Sequence, residues 1–220
     1  MTNIQEYPEK DVTHIYIDKD DDIWIASDAG IILMQETLFG HPFVDLSNNY
    51  IQSLATDDKG FVYFTDGKSV FKADSGLESN ARALFSSKAF LLQILPVDEG
   101  FWVSDAEGGI CMLNKSGKTL KKFDFSKSGK AVFKLVRAED GSIWACQDAN
   151  EELIRITPDF NVKLYGRKQG LLSRSISLAV SSEGLLYSGG MTDSAYISVY
   201  FAANDRFVNL SEEVKFQRNI

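Results

Sequence analysis

Four aspartates recur at one relative position: Asp28, Asp66, Asp105 and Asp148 each follow a central aromatic residue by three or four places. Carboxylates accept hydrogen bonds, amides both donate and accept, and an aromatic ring offers an apolar platform. Together with Asn48, Asn49, Tyr50, Lys88 and Arg174, these aspartates make a candidate ligand set suited to carbohydrate hydroxyls. Turn chemistry is the competing account, because Asp also bonds its own backbone in tight turns. A second acidic series comprises Asp18, Asp20, Asp21, Asp22, Asp57, Asp58, Asp98, Glu99, Glu139, Asp140 and Glu183, eleven of the 31 acidic residues. It would suit a cation or a basic partner, or it is a set of solvated hairpin residues. The run Asp18-x-Asp20-x-Asp22 has the start of a calcium loop, but Ile23 stands where that loop needs Gly and Ala29 where it needs Glu. No metal and no cofactor are expected. Catalytic groups are not found either: the two histidines, His14 and His41, have no companion in other segments, and Cys111 and Cys146 form no Cys-His dyad. Both cysteines lie amid apolar neighbours, the setting of buried thiols; a disulfide cannot be argued from sequence.

The elements that position these residues follow from an internal repeat. Five segments align on their aromatics Trp24, Tyr63, Trp102, Trp144 and Tyr187, spaced by 39, 39, 42 and 43 residues. Gly60, Gly141 and Gly184 lie three residues before their aromatic, Gly100 lies two before, and Asp21 takes the place in the first repeat. Each repeat reads as strand, tight turn, strand, turn, strand, as in Ile15-Tyr16-Ile17, Ile23-Trp24-Ile25 and Ile31-Ile32-Leu33. A weaker fourth strand follows at Phe43–Leu46, Ala83–Phe85, Leu120–Phe125, Val162–Tyr165 and Phe207–Leu210. Four antiparallel strands every 40 or so residues is the period of a β-propeller blade. The expected fold is all-β: one propeller unit over 1–220, with five four-stranded blades at about 12–46, 51–85, 90–125, 131–165 and 176–210. Residues 1–11, with Ile4–Tyr7, are expected to be the outer strand of a preceding blade or a terminal strand. That surplus strand favours an excerpt of a larger array, with a closed five-bladed ring as the rival. The five aromatics are expected to pack blade on blade, because each blade buries an apolar face against its neighbour.

Composition agrees. The 220 residues are 44% apolar, 25% charged and 12% aromatic, with only 4 Pro, a β-rich palette. The longest apolar runs, Ile31–Met34 and Ala89–Val97, are far short of the roughly 20 residues that span a bilayer. The first residues have no basic stretch leading into an apolar one, so no signal peptide is read there. A net charge of −8 argues against nucleic-acid or membrane contact by this segment.

The stretches DDDIWIASDAGIILM, DDKGFVYFTDGKSVFKAD, DEGFWVSDAEGGICMLN and EDGSIWACQDANEELIRI resemble the two-component regulator propeller repeat. YGRKQGLLSRSISLAVSSEGLLYSGG is similar to that family's inter-blade linker. The resemblance spans about residues 12–210 and implies a non-catalytic, periplasmic sensor segment of a hybrid two-component system, of the kind common in gut Bacteroidetes. It implies signalling to a histidine kinase, an oligosaccharide ligand derived from polysaccharide, contacts with adjacent propeller or sandwich domains, and homodimerisation. A propeller scaffold for protein–protein contact is the alternative. A second resemblance is to streptogramin-lyase-like propellers, through the Gly-x-apolar-Trp core and Ile154–Asp159. Those enzymes rely on histidine and a divalent metal ion, and the two histidines of this chain do not supply that pattern.

Overall fold

The computed structural model describes residues 11–18, 21–28, 30–35, 38–40, 50–74, 81–127, 131–148, 151–172, 174–191 and 195–210. Among them are twenty strands in five four-stranded antiparallel sheets, the blades of a β-propeller fold. Blade 1 holds β1 (Val12–Ile17), β2 (Ile23–Ser27), β3 (Gly30–Gln35) and β4 (Leu38–Gly40). Blade 2 holds β5 (Ser53–Thr56), β6 (Val62–Thr65), β7 (Ser69–Ala73) and β8 (Arg82–Ser86). Blade 3 holds β9 (Leu91–Val97), β10 (Gly100–Asp105), β11 (Gly109–Asn114) and β12 (Thr119–Asp124). Blade 4 holds β13 (Val132–Arg137), β14 (Ile143–Gln147), β15 (Leu153–Ile156) and β16 (Val162–Tyr165). Blade 5 holds β17 (Ser175–Val180), β18 (Leu186–Met191), β19 (Ala195–Phe201) and β20 (Arg206–Asn209). Strand order within every sheet follows the chain. The chain divides into two compact units, Met1–Val103 with Cys111–Lys122, and Ser104–Ile110 with Phe123–Ile220.

The outer strand of blade 1 differs from the sequence expectation. It is Leu38–Gly40, paired directly with β3 through Met34 and Phe39, whereas Phe43–Leu46 lies outside the described residues. The register of Leu33 with Gly40 and of Gln35 with Leu38 sets this strand on β3 ahead of the later apolar run. Ile4–Tyr7, Asp20, Ala29, His41, Asn48 and Asn49 also lie outside the described residues.

Local chemistry explains the first turn of each blade. In blade 2, Gly60 N–H donates to the Asp57 carbonyl (2.9 Å) and Asp57 N–H to the Phe61 carbonyl (3.0 Å). The same pair of bonds closes Ala138–Ser142, Ser181–Leu185 and Asp18–Asp22. This is the three-residue hairpin whose last loop residue must be left-handed. Gly60, Gly141 and Gly184 occupy it at φ +83°, +79° and +76°, and Asp21 occupies it at φ +61°. Blade 3 uses a two-residue turn, Asp98-Glu99, and Gly100 begins β10. There the glycine serves close approach: a Cβ would overlap the Leu113 carbonyl oxygen on β11.

Strand periodicity sends alternate residues to opposite faces of a blade. In blade 1 the face of Trp24, Ala26, Ile31 and Leu33 packs against Leu54, Val62, Phe64 and Ala73 of blade 2. Tyr63 and Val70 of blade 2 pack against Leu91, Ile94, Phe101 and Val103 of blade 3. Trp144, Cys146, Leu153 and Tyr165 of blade 4 pack against Leu171, Leu178, Leu186 and Phe207. Fully burying such a side chain is worth about 1.5–3 kcal/mol, so these faces dominate stability. Trp24, Tyr63, Trp102 and Trp144 are buried, while Tyr187 is half-buried. The receiving face of blade 1 is more open: Ile15 is 61% exposed, against 2% for Leu54, 1% for Leu135 and 3% for Leu178 at the same register.

Candidate functional site

The second turns and the inter-blade linkers share one end of the blades. Leu91 N–H donates to Gly67 O (2.7 Å) and Ser87 N–H to Lys68 O (2.9 Å), which ties the linker carrying Lys88 to the turn carrying Asp66. Ile51 N–H donates to Ser27 O (3.0 Å) and does the same for Tyr50, which is 44% exposed, beside Asp28. Asp148 N–H donates to Ala131 O (2.7 Å).

Two of the four recurring aspartates are committed to their own turns. Asp66 Oδ1 accepts from the amides of Lys68 (2.9 Å) and Ser69 (2.7 Å). Asp105 Oδ1 accepts from the amides of Glu107 (2.9 Å) and Gly109 (2.7 Å). Asp148 pairs with Arg174 at 2.6 Å, joining two members of the candidate set. Asp28 Oδ1 is buried with no hydrogen-bond partner among the described residues. In the first unit these turns and linkers therefore offer Tyr50, Lys88 and one oxygen of Asp28, and in the second, taken by itself, the Asp148–Arg174 pair, rather than equivalent carboxylates.

The first and third turns carry a role that the repeat alone did not reveal. Trp24 Nε1–H donates to Asp18 Oδ2 (2.8 Å), and Tyr63 OH donates to Asp57 Oδ2 (3.3 Å). Each acid stands six residues before its aromatic, a spacing that could have been found in repeats 1 and 2. The other oxygen of Asp57 accepts from the amides of Lys59 and Phe61, both at 3.0 Å. Burial first, and Asp57 second, push the Tyr63 hydroxyl up to about 12.

In blade 4 the residue six before the aromatic is Ala138, and the charged group there covers the ring face. Arg155 lies over the Trp144 ring (5.3 Å) and the Tyr200 ring (5.6 Å). It donates to Ser142 Oγ (3.1 Å), Tyr165 OH (3.1 Å), Tyr200 OH (2.9 Å) and Asp140 Oδ2 (2.5 Å). Asp205, in the third turn of blade 5, accepts from Tyr165 OH (2.5 Å), Tyr200 OH (2.7 Å) and the Lys163 ammonium. Partial burial works against the Asp205 charge, yet these three donors hold its carboxyl down at about 2. Burial and the bond to Asp205 push the Tyr200 hydroxyl upward, so it stays a donor. Among the described residues, no three His, Cys, Asp or Glu side chains gather as metal ligands. His14 sits half-buried in β1. Cys111 and Cys146 are buried and not joined in a disulfide.

Residues 6–29 match the family model of the two component regulator propeller. Comparison with curated protein sequences gave no match. Among solved structures, the chain is similar to the extracellular domain described as that of a hybrid two component system, BT3049, from B. thetaiotaomicron. The TM-score is 0.76 at 16% identity, over 92% of this chain and 29% of that one. It is similar to the extracellular domain of a one component system, BT4673, from the same organism, with TM-score 0.67, 16% identity, and 91% and 28% of the two chains covered. It is also similar to virginiamycin B lyase from Staphylococcus aureus, with TM-score 0.73, 12% identity, and 90% and 69% covered. At these identities the likeness establishes the propeller fold. The chain spans less than a third of the length of the two extracellular domains and about two thirds of the lyase.

Proposed function

We propose that this chain is a non-catalytic, ligand-binding propeller segment of a hybrid two-component sensor. It works outside the cytoplasm, in the periplasm, and passes a rearrangement to a histidine kinase. The observation that carries the reading is the regulator-propeller match at residues 6–29, seated on β1 and β2 of a blade pattern repeated five times. The fold likeness to two-component extracellular domains supports it. Tyr50, Lys88 and Asp28 in one unit, or the Asp148–Arg174 pair in the other, would present hydrogen-bonding groups to glycan hydroxyls. Thermal-shift screening of the chain against oligosaccharides from several polysaccharide classes tests this. A saturable rise in Tm for one class is the expected result. No shift for any glycan would overturn ligand sensing in favour of a protein-contact scaffold. A lyase-type activity requires a divalent metal ion, so a Tm indifferent to both EDTA and added magnesium would remove that reading.

A further inference from the structure

The blades carry their own template for what covers a sheet face. Within the first unit, the aromatic face of blade 1 covers the face of blade 2 that holds Leu54, and the aromatic face of blade 2 covers blade 3. Within the second, the aromatic face of blade 4 covers the face of blade 5 that holds Leu178. Each of these contacts sets the aromatic face of one blade on the opposite face of the next.

Blade 1 has the receiving face without the cover. Ile15, opposite Ile25, holds the register at which Leu54 stands opposite Phe64, and it is 61% exposed where Leu54 is 2%. Val12 and Ile17, opposite Ser27 and Ile23, lie on the same side of the sheet and are exposed too. Blade 5, in the second unit and taken by itself, has the aromatic face without a receiver. Tyr187 stands at the position of Trp24, Tyr63 and Trp144, yet it is half-buried where they are buried. Ile197, opposite Gly189, holds the register of Ile31 opposite Ala26 and of Val70 opposite Thr65. It is 46% exposed, against 3% and 0% for those two. Phe201 follows on the same side of β19 and is exposed. End repeats that face water carry a polar outer surface. These two faces are aliphatic and aromatic instead, which is the mark of an interaction surface.

We propose that the open face of blade 1 is covered by a second copy of this chain, through the aromatic face of that copy's blade 5. Tyr187 and Ile197 take against Ile15 the place that Trp24 and Ile31 take against Leu54. The two faces differ, so the contact is heterologous and joins copies head to tail. Two-fold pairing of like faces has no precedent among the described blades, where every inter-blade cluster joins an aromatic face to a receiving one.

Sedimentation velocity and light scattering of the whole chain test the assignment. At about 100 μM the parent chain is expected to exceed monomer mass, and its mass is expected to fall on dilution. Ile15→Asp blocks one face and Ile197→Asp the other, so each variant alone is expected to be monomeric. Mixed in equal amounts, the two variants retain one matching pair of faces and are expected to give a heterodimer of twice the chain mass and nothing larger. Both positions are exposed, so both variants are expected to keep the parent's circular dichroism; Ile17→Asp and Phe201→Asp repeat the test at a second position on each face. A parent chain that is monomeric at that concentration would overturn the proposal and leave the blade 1 face to a different partner. Assembly by either variant alone would also overturn it, as would a mixture that stays monomeric or grows past the heterodimer. Neither face carries a residue of the proposed glycan site, so assembly and glycan binding are tested separately.

Discussion

Replacing Arg155 with Met should unfold the blade 4 and 5 region at markedly lower temperature. The side chain is only 17% exposed and makes four donor contacts, two of them to the hydroxyls of Tyr165 and Tyr200 inside an aromatic cradle. Methionine keeps the apolar stem over Trp144, so the packing of that stem is largely retained. Each bond to a partly buried neutral partner contributes about 1 kcal/mol. The pair with Asp140 contributes less, under about 1 kcal/mol, because Asp140 is 51% exposed and water screens it. Removing Arg155 also relieves its opposition to Lys163, which offsets part of the loss. The net expectation is about 2–3 kcal/mol, or roughly 5–10 °C in Tm for a chain of this size. Calorimetry and urea unfolding followed by tryptophan fluorescence measure it, and Trp144 itself reports the site. Arg155→Lys should recover less than half, since a point charge cannot hold Ser142, two tyrosines and Asp140 at once. A Met variant within 0.5 kcal/mol of the parent (on the scale of surface substitutions), or full recovery by Lys, would refute the reasoning.

Three further outcomes follow from the same geometry. Gly60→Ala should cost about 1–2 kcal/mol because φ is +83° there, whereas Gly60→Asp should cost less, as Asp21 already holds that position in blade 1; equal costs in urea titrations would contradict the hairpin assignment. The Asp205 carboxyl sits at about 2, below its ordinary value near 4, so its stabilisation is full above pH 4 and is lost as pH falls toward 2; Asp205→Asn should flatten that limb of the Tm-versus-pH curve. Burial pushes the Cys146 thiol up to about 12, so a thiol reagent at pH 8 should label it only after denaturation, and rapid labelling of the native chain would show the blade core to be open.

The blade pattern was legible because it is local. A period-2 apolar alternation, a glycine or Asp at the left-handed position and an aromatic three residues later describe one hairpin, and Gly60, Gly141, Gly184 and Asp21 all sit where those rules place them. Gly100 shows the limit: its offset from Trp102 is one residue shorter, and only the structure reveals that its role is close approach to Leu113 rather than a positive φ. The recurring aspartates were visible as a series, yet their chemistry was not. Asp66 and Asp105 are committed to their own turns, and Asp148 is held by a partner 26 residues away. The charge networks were least visible of all, because Arg155 and Asp205 meet only through the register of two blades.

That division explains where such a propeller can vary without ceasing to fold. The faces of Trp24, Tyr63 and Trp144 are buried and mutually constrained, so substitutions there carry cavity costs of several kcal/mol. The polar tips of Trp24 and Tyr63 are met by Asp18 and Asp57, whereas in blade 4 Arg155 covers the face of the Trp144 ring and bonds Tyr165, Tyr200 and Asp140. Asp18, Asp57 and Asp140 lie on turns whose backbone is set by a left-handed residue and by main-chain bonds, whereas Arg155 is fixed by the register of β15 between β14 and β16.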